Sequence, residues 1–79
     1  MEKDEILVKL QDIFRDILDD EDIVLTFQTK ADDIEGWDSL AHVQIVVAVS
    51  QEFGVKFSST EIMNWPNIDS LVECIINKL

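Results

Sequence analysis

Apolar residues recur with helical period in three stretches of the chain. Ile6, Leu10, Ile13 and Ile17 follow one another at spacings of four, three and four, and Leu7, Phe14 and Leu18 widen the stripe. Lys3, Glu5, Lys9, Asp12, Arg15 and Asp16 fill the opposite face, so residues 3–18 are expected to form an amphipathic helix. The run from Leu40 to Phe53 contains neither Gly nor Pro. Its β-branched residues Val43, Ile45, Val46, Val47 and Val49 would suit a buried strand. Length decides for a helix over 39–53, because fifteen unbroken residues are long for a strand and ordinary for a helix. Leu40, Val43, Val47 and Phe53 fall near one stripe, Val46 and Val49 broaden it, and Gly54 supplies the stop. So Val-rich a helix must be held by tertiary burial. Near the end, Ile68, Leu71, Val72, Ile75, Ile76 and Leu79 step by three and one, with Asn67 or Ser70 placed to cap. Between these two helices, Ser58 and Glu61 have capping-box spacing and open a short helix. Pro66 disfavours helical geometry at Trp65 and limits this helix to about two turns.

Residues 19–38 lack that period. The acids Asp19-Asp20-Glu21-Asp22 oppose the negative end of a helix dipole and should terminate the first helix. Ile23, Leu25 and Phe27 alternate, as in a short strand. So long a connection needs pins, and Ile23, Leu25, Phe27 and Ile34 are the candidates. The acids invite a calcium loop, but the EF-hand spacing fails. With Gly36 at the sixth position, Ala31 and His42 stand where Asp and Glu are required. The expected fold is all-α, a four-helix bundle of three main helices and a short third one, with a long first loop. It forms a single domain over residues 1–79.

Charge and composition narrow the function. Residues 1–38 hold thirteen acids and four bases, whereas residues 39–79 hold four and two, for a net charge of −11. Phosphate binding needs clustered Lys and Arg, so nucleic acid is excluded as a partner and anionic membranes are disfavoured. A basic protein partner, steered over long range, is the natural complement, and a solubility charge without partner meaning is the alternative. The single cysteine, Cys74, permits no internal disulfide and has no neighbouring metal-ligand spacing. No apolar run reaches the ~18 residues of a membrane span. The acidic start, Met1-Glu2-Lys3-Asp4-Glu5, is not expected to serve as a signal peptide. A cytoplasmic monomer is expected.

Candidate chemistry lies in the triplet Asp-Ser-Leu, which occurs at 38–40 and again at 69–71. Ser70 precedes Glu73 by three residues, and a capping box would account for it. Ser39 precedes His42, and Asp38 precedes Ala41, so neither has a reciprocal acid, although either can cap alone. Ser39 also stands where the loop ending Gly36-Trp37 becomes a long helix, a rigid mount open to solvent and suited to covalent attachment.

Gly36-Trp37-Asp38-Ser39-Leu40, followed by a long apolar helix ending Glu52-Phe53-Gly54, resembles the acyl carrier protein family over essentially the whole chain. The resemblance implies that Ser39 receives 4′-phosphopantetheine from coenzyme A through a phosphodiester, and that the arm's thiol carries an acyl or aminoacyl group as a thioester. It implies that Asp38 assists a phosphopantetheinyl transferase and its Mg²⁺ and that Leu40 is the exposed apolar residue beside the arm. It makes Val43, Val47 and Ile62 contacts for acyl-loading and acyl-processing enzymes, and Val46, Phe57, Ile62 and Trp65 the flanks of a buried acyl chain. Trp37 and Trp65 are expected to be partly core, with arm contact open to both. Fatty acid synthase carriers bear several acids along the second helix, whereas Ala41, Gln44, Ser50 and Gln51 leave only Glu52 here. Trp37 replaces a small or aliphatic residue. These departures point to a stand-alone carrier of a specialised pathway, such as polyketide, nonribosomal-peptide-like or polysaccharide modification. The alternatives are a fatty acid synthase carrier and a helical interaction domain without a prosthetic group. A serine hydrolase is disfavoured, since Ser39 and His42 lack a nucleophile elbow, and His42 is expected at the surface beside the arm.

Overall fold

The computed structural model describes residues 1–79 as four helices and a 3₁₀ turn: α1 (Lys3–Ile17), the turn (Ala31–Asp33), α2 (Ser39–Phe53), α3 (Ser59–Met63) and α4 (Ile68–Lys78). No helix is long and apolar enough to cross a membrane.

Helix α1 packs against α2 and α4. It does so through Ile6, Leu10 and Phe14, each 0% exposed. Its last turn closes on Leu18, and Asp19 then takes a left-handed φ of 51°, a conformation Asp tolerates better than most residues. The acidic run therefore begins where the helix stops, as expected.

Helix α2 has the predicted limits. Asp38 caps it, accepting the Ala41 N–H at 2.8 Å, and Gly54 ends it at φ 65°. The single stripe expected from Leu40 to Phe53 is corrected. Ala41, Ile45, Val49 and Phe53, four residues apart, face the interior together with Val46, while Leu40, Val43 and Val47 are 70%, 59% and 50% exposed. A helix apolar around most of its circumference does not reveal by period which row meets its neighbours.

The short strand expected around Ile23–Phe27 does not form. Ile23 and Leu25 are buried and Phe27 and Ile34 pack against the core, so these pins do hold the loop. Its polar backbone groups find partners elsewhere. The Ile23 carbonyl accepts from Arg15 Nε at 2.7 Å, and the Leu25 N–H donates to Gln11 Oε1 at 3.0 Å. The carbonyls of Phe27 and Thr29 accept the N–H groups of Asp69 and Ile68, at 2.9 and 2.8 Å. The loop thus joins α1 to the start of α4, and these bonds supply three donors and one acceptor in place of a strand ladder.

Helix α3 has five residues, fewer than the two turns expected. Its capping box is complete: Ser58 Oγ accepts the Glu61 N–H at 3.1 Å, and Glu61 Oε1 accepts the Ser58 N–H at 2.8 Å. Asn64 Nδ2 donates to the Thr60 carbonyl and closes the turn just before Trp65-Pro66. Lys78 reaches back from α4 to Glu61 at 3.0 Å. The Ser58 N–H and then Lys78 hold the Glu61 carboxyl down from 4.5 to about 2. Because the folded value is depressed, this stabilisation is complete above the ordinary carboxylate range and is lost as pH falls through about 2. Glu61→Gln keeps a group able to reach Ser58. It is expected to be less stable than the parent at pH 7 and to lose less on acidification, as read by urea unfolding at pH 7 and at about pH 2. Equal acid dependence of the two proteins would contradict the assignment.

At helix α4 one of the two expected caps forms. Asn67 is the N-cap, its Oδ1 accepting both the N–H and the hydroxyl of Ser70 at 3.0 Å. Ser70 lies within the first turn, and the box expected between Ser70 and Glu73 is absent because Asn67 already holds the capping position. Glu73 and Asp69 instead pair with Lys3, and those two carboxylates, Glu73 first, raise the Lys3 pKa.

Candidate functional site at the start of the second helix

Gly36 takes φ +88°, a conformation that strains any L side chain. The space there is adequate, since a Cβ would lie 3.9 Å from Leu18 Cδ2, so it is the backbone turn that requires glycine. The turn delivers Trp37 to the interior and Asp38 to the cap, and the next residue, Ser39, opens α2 in an exposed position. Of the first-turn N–H groups, Ala41's is satisfied by Asp38, while the second oxygen of that carboxylate makes no hydrogen bond within the chain. The positive end of a fifteen-residue helix therefore lies directly at the Ser39 hydroxyl.

The two triplets now differ in kind. Ser39 is exposed and its hydroxyl has no partner in the chain, whereas Ser70 is half-buried and donates its hydroxyl proton to Asn67. The expectation for Ser70 as a structural residue holds, although by a different bond.

Trp37 lies edge-on to Phe14, with centroids 4.8 Å apart and planes at 87°, and so ties the site to the core. Its indole N–H donates to His42 Nδ1 at 3.0 Å. An indole nitrogen only donates, which makes Nδ1 the acceptor and puts the imidazole proton on Nε2. That nitrogen lies 3.1 Å from the Ile62 carbonyl and donates to it. His42 is thus no free surface residue, which corrects the sequence expectation. It bridges the loop, α2 and the last turn of α3. Its ring stacks on Trp37 at 5.8 Å and meets Trp65 at the same distance, and Trp65 lies edge-on to Phe57 at 5.0 Å. Composition gave no sign of this row of rings. The one available signal was a lone histidine following a tryptophan by five residues.

The remaining predicted residues fall into two groups. Leu40, Val43 and Val47 share an exposed face of α2. Val46 is buried, and Phe57, Ile62 and Trp65 are half-buried around the seam between α2 and α3. Beside Ser39, an open hollow of about 370 Å³ is bordered by Ala31, Trp37, Asp38 and His42. Cys74, on α4, is half-buried and its thiol pKa is raised, first by burial and then by a hydrogen bond to Glu61.

A family model described as phosphopantetheine attachment site matches residues 8–75. The chain is 34% identical over 80 residues to an acyl carrier protein of Petrotoga mobilis, covering all of this chain and 93% of that protein. It is 35% identical over 72 residues to a non-reducing polyketide synthase of Emericella nidulans, covering 90% of this chain but only 3% of the synthase's length. Among solved structures, the holo acyl carrier protein from Geobacter metallireducens superposes with a TM-score of 0.84. It is 38% identical, and 91% of this chain and 83% of that chain are covered.

Proposed function

The chain belongs to the acyl carrier protein family, whose domain bears phosphopantetheine and carries rather than catalyses, and on that premise we propose that Ser39 is its attachment residue. The observation that supports this choice is the exposed hydroxyl at the first residue of α2, set against the Ser70 hydroxyl that Asn67 holds inside α4. The donor set fits the group. A phosphodiester on Ser39 places its negative charge at the positive end of α2, where the free N–H groups of the first turn favour it. When bound, the arm supplies a thiol that holds an acyl or aminoacyl group as a thioester.

In the attachment step, Ser39 Oγ gives an electron pair to the phosphorus of coenzyme A that bears the pantetheine. The P–O bond to the adenosine bisphosphate half breaks, and the hydroxyl proton passes to a base of the transferase. Asp38 holds the cap with one oxygen and offers the other to the transferase's Mg²⁺. Leu40, Val43 and Val47 form the apolar face that partner enzymes read, and the acids of the first half steer them from a distance.

The carrier serves a specialised pathway in the cytoplasm, acting as a monomer that meets acyl-loading and acyl-processing enzymes in turn. Support comes from Gln44, Ser50 and Gln51 on α2, where acidic partner contacts are missing (Ala41, the fourth such position in the sequence, faces the interior), and from the similarity to a polyketide synthase segment. A fatty acid synthase carrier is the second reading, favoured by the full-length similarity to an acyl carrier protein.

Incubation with coenzyme A and a broad-specificity phosphopantetheinyl transferase is expected to add the mass of one phosphopantetheine, located on the peptide containing Ser39. Because the net charge is −11, the initial rate should fall severalfold between low salt and ~0.5 M salt, where the Debye length is only a few Å. No mass gain with an active transferase would overturn the attachment, and a salt-independent rate would overturn the steering.

A further inference from the structure

We propose that His42 closes the seam between α2 and α3 to a linear alkyl chain, so that the group this carrier holds stays outside the bundle and is short or polar. This rests on attachment at Ser39.

Ser39, His42 and Val46 follow one another at helical spacings of three and four, which places them along one side of α2. A chain entering the bundle from Ser39 toward Val46 therefore has to pass the imidazole. That ring is held from several directions at once. Trp37 donates to Nδ1, Nε2 donates to the Ile62 carbonyl, and the indoles of Trp37 and Trp65 cover it, each 5.8 Å away. An alkyl chain has neither donor nor acceptor, so displacing His42 would leave the Trp37 N–H and the Ile62 carbonyl without a replacement partner.

Behind the ring there is little to gain. Ile45, Val49, Ile68, Leu71 and Val72 are at most 1% exposed and already packed on one another. A long chain would have to separate them. The hollow that does adjoin Ser39, bordered by Ala31, Trp37, Asp38 and His42, is open to solvent, so a tail lying in it would stay in contact with water. A long alkyl chain left in water is unfavourable, whereas a short or polar acyl group needs no shelter.

The test loads the full chain with acetyl- or octanoyl-phosphopantetheine from the matching coenzyme A thioesters and confirms each product by intact mass. Cleavage of the two thioesters by hydroxylamine and the methyl NMR shifts of Val46 and Ile62 are then compared. In the parent protein the two rates are expected to agree within about twofold, with the same methyl shifts in both forms. In His42→Ala the octanoyl thioester is expected to be cleaved about fivefold or more slowly than the acetyl one, with new shifts at Val46 and Ile62. Protection of the octanoyl group in the parent, with shifted Val46 and Ile62 methyls, would overturn the proposal. A folded His42→Ala protein that still leaves the octanoyl group unprotected would overturn the role given to His42. Should that variant fail to fold, the two parent forms decide between shelter and exposure on their own. Absence of any mass gain would overturn attachment itself and this proposal with it.

Discussion

Ser39→Ala is expected to abolish the mass gain from coenzyme A entirely, while Ser70→Ala leaves it unchanged in extent and rate. The two serines sit in identical triplets with different flanking residues, and in the fold the difference is one of mounting. Ser39 presents an unpartnered hydroxyl at the exposed first residue of α2. Ser70 lies a turn inside reach of Asn67 and has its proton engaged there. Alanine at 39 leaves the cap intact, because the cap is Asp38, so the variant should remain folded, and its helical circular dichroism should match the parent. Alanine at 70 removes one hydrogen bond of roughly 0.5–1.5 kcal/mol and no attachment chemistry. Retained modification in Ser39→Ala, lost in Ser70→Ala, would reverse the assignment.

The second large effect is on stability. Phe14→Ala is expected to cost about 3–5 kcal/mol, because it empties a site that is fully buried between α1, α2 and α4. For a domain whose whole stability is roughly 5–15 kcal/mol, this is a large share, and the melting midpoint should fall by about 12 °C or more. The loss also reaches the site, because the Trp37 ring rests edge-on against Phe14. The indole N–H resonance of Trp37 should broaden or shift in any folded fraction as its bond to His42 loosens. A melting point within a few degrees of the parent would show that the cavity collapses without penalty, contrary to the packing described.

Much of this architecture could be read from residue spacing. Gly54 and the Asp38-Ser39 pair bound α2 correctly because glycine and a capping acid act locally, through one backbone conformation and one hydrogen bond. The stripe of α1 was equally legible, since only one face of that helix is apolar. Three features were not. The alternation of Ile23, Leu25 and Phe27 reflects a loop that buries every second side chain, and its hydrogen-bond partners are Gln11, Arg15 and the first residues of α4 rather than a strand. Those partners lie up to some forty residues away, beyond what a local pattern can encode. The core row of α2 could not be chosen because valine and isoleucine surround the helix. Capping at α4 went to Asn67 rather than Ser70, since two adequate cap residues stood three apart and only the backbone at 67 is extended. At the site, Ser39 and Asp38 were visible as residue types at a junction, but the bridge through His42 joins residues from three segments and has no sequence signature.

Asp38 holds one further possibility. Its carboxylate spends one oxygen on the Ala41 amide and leaves the other to solvent. Asparagine caps a helix about as well as aspartate does. A single exchange of oxygen for nitrogen would therefore remove the formal charge while keeping the scaffold. The position lets architecture and the proposed enzymology be uncoupled within one side chain, a separation that the neighbouring serine, whose proposed chemistry is the hydroxyl itself, does not permit.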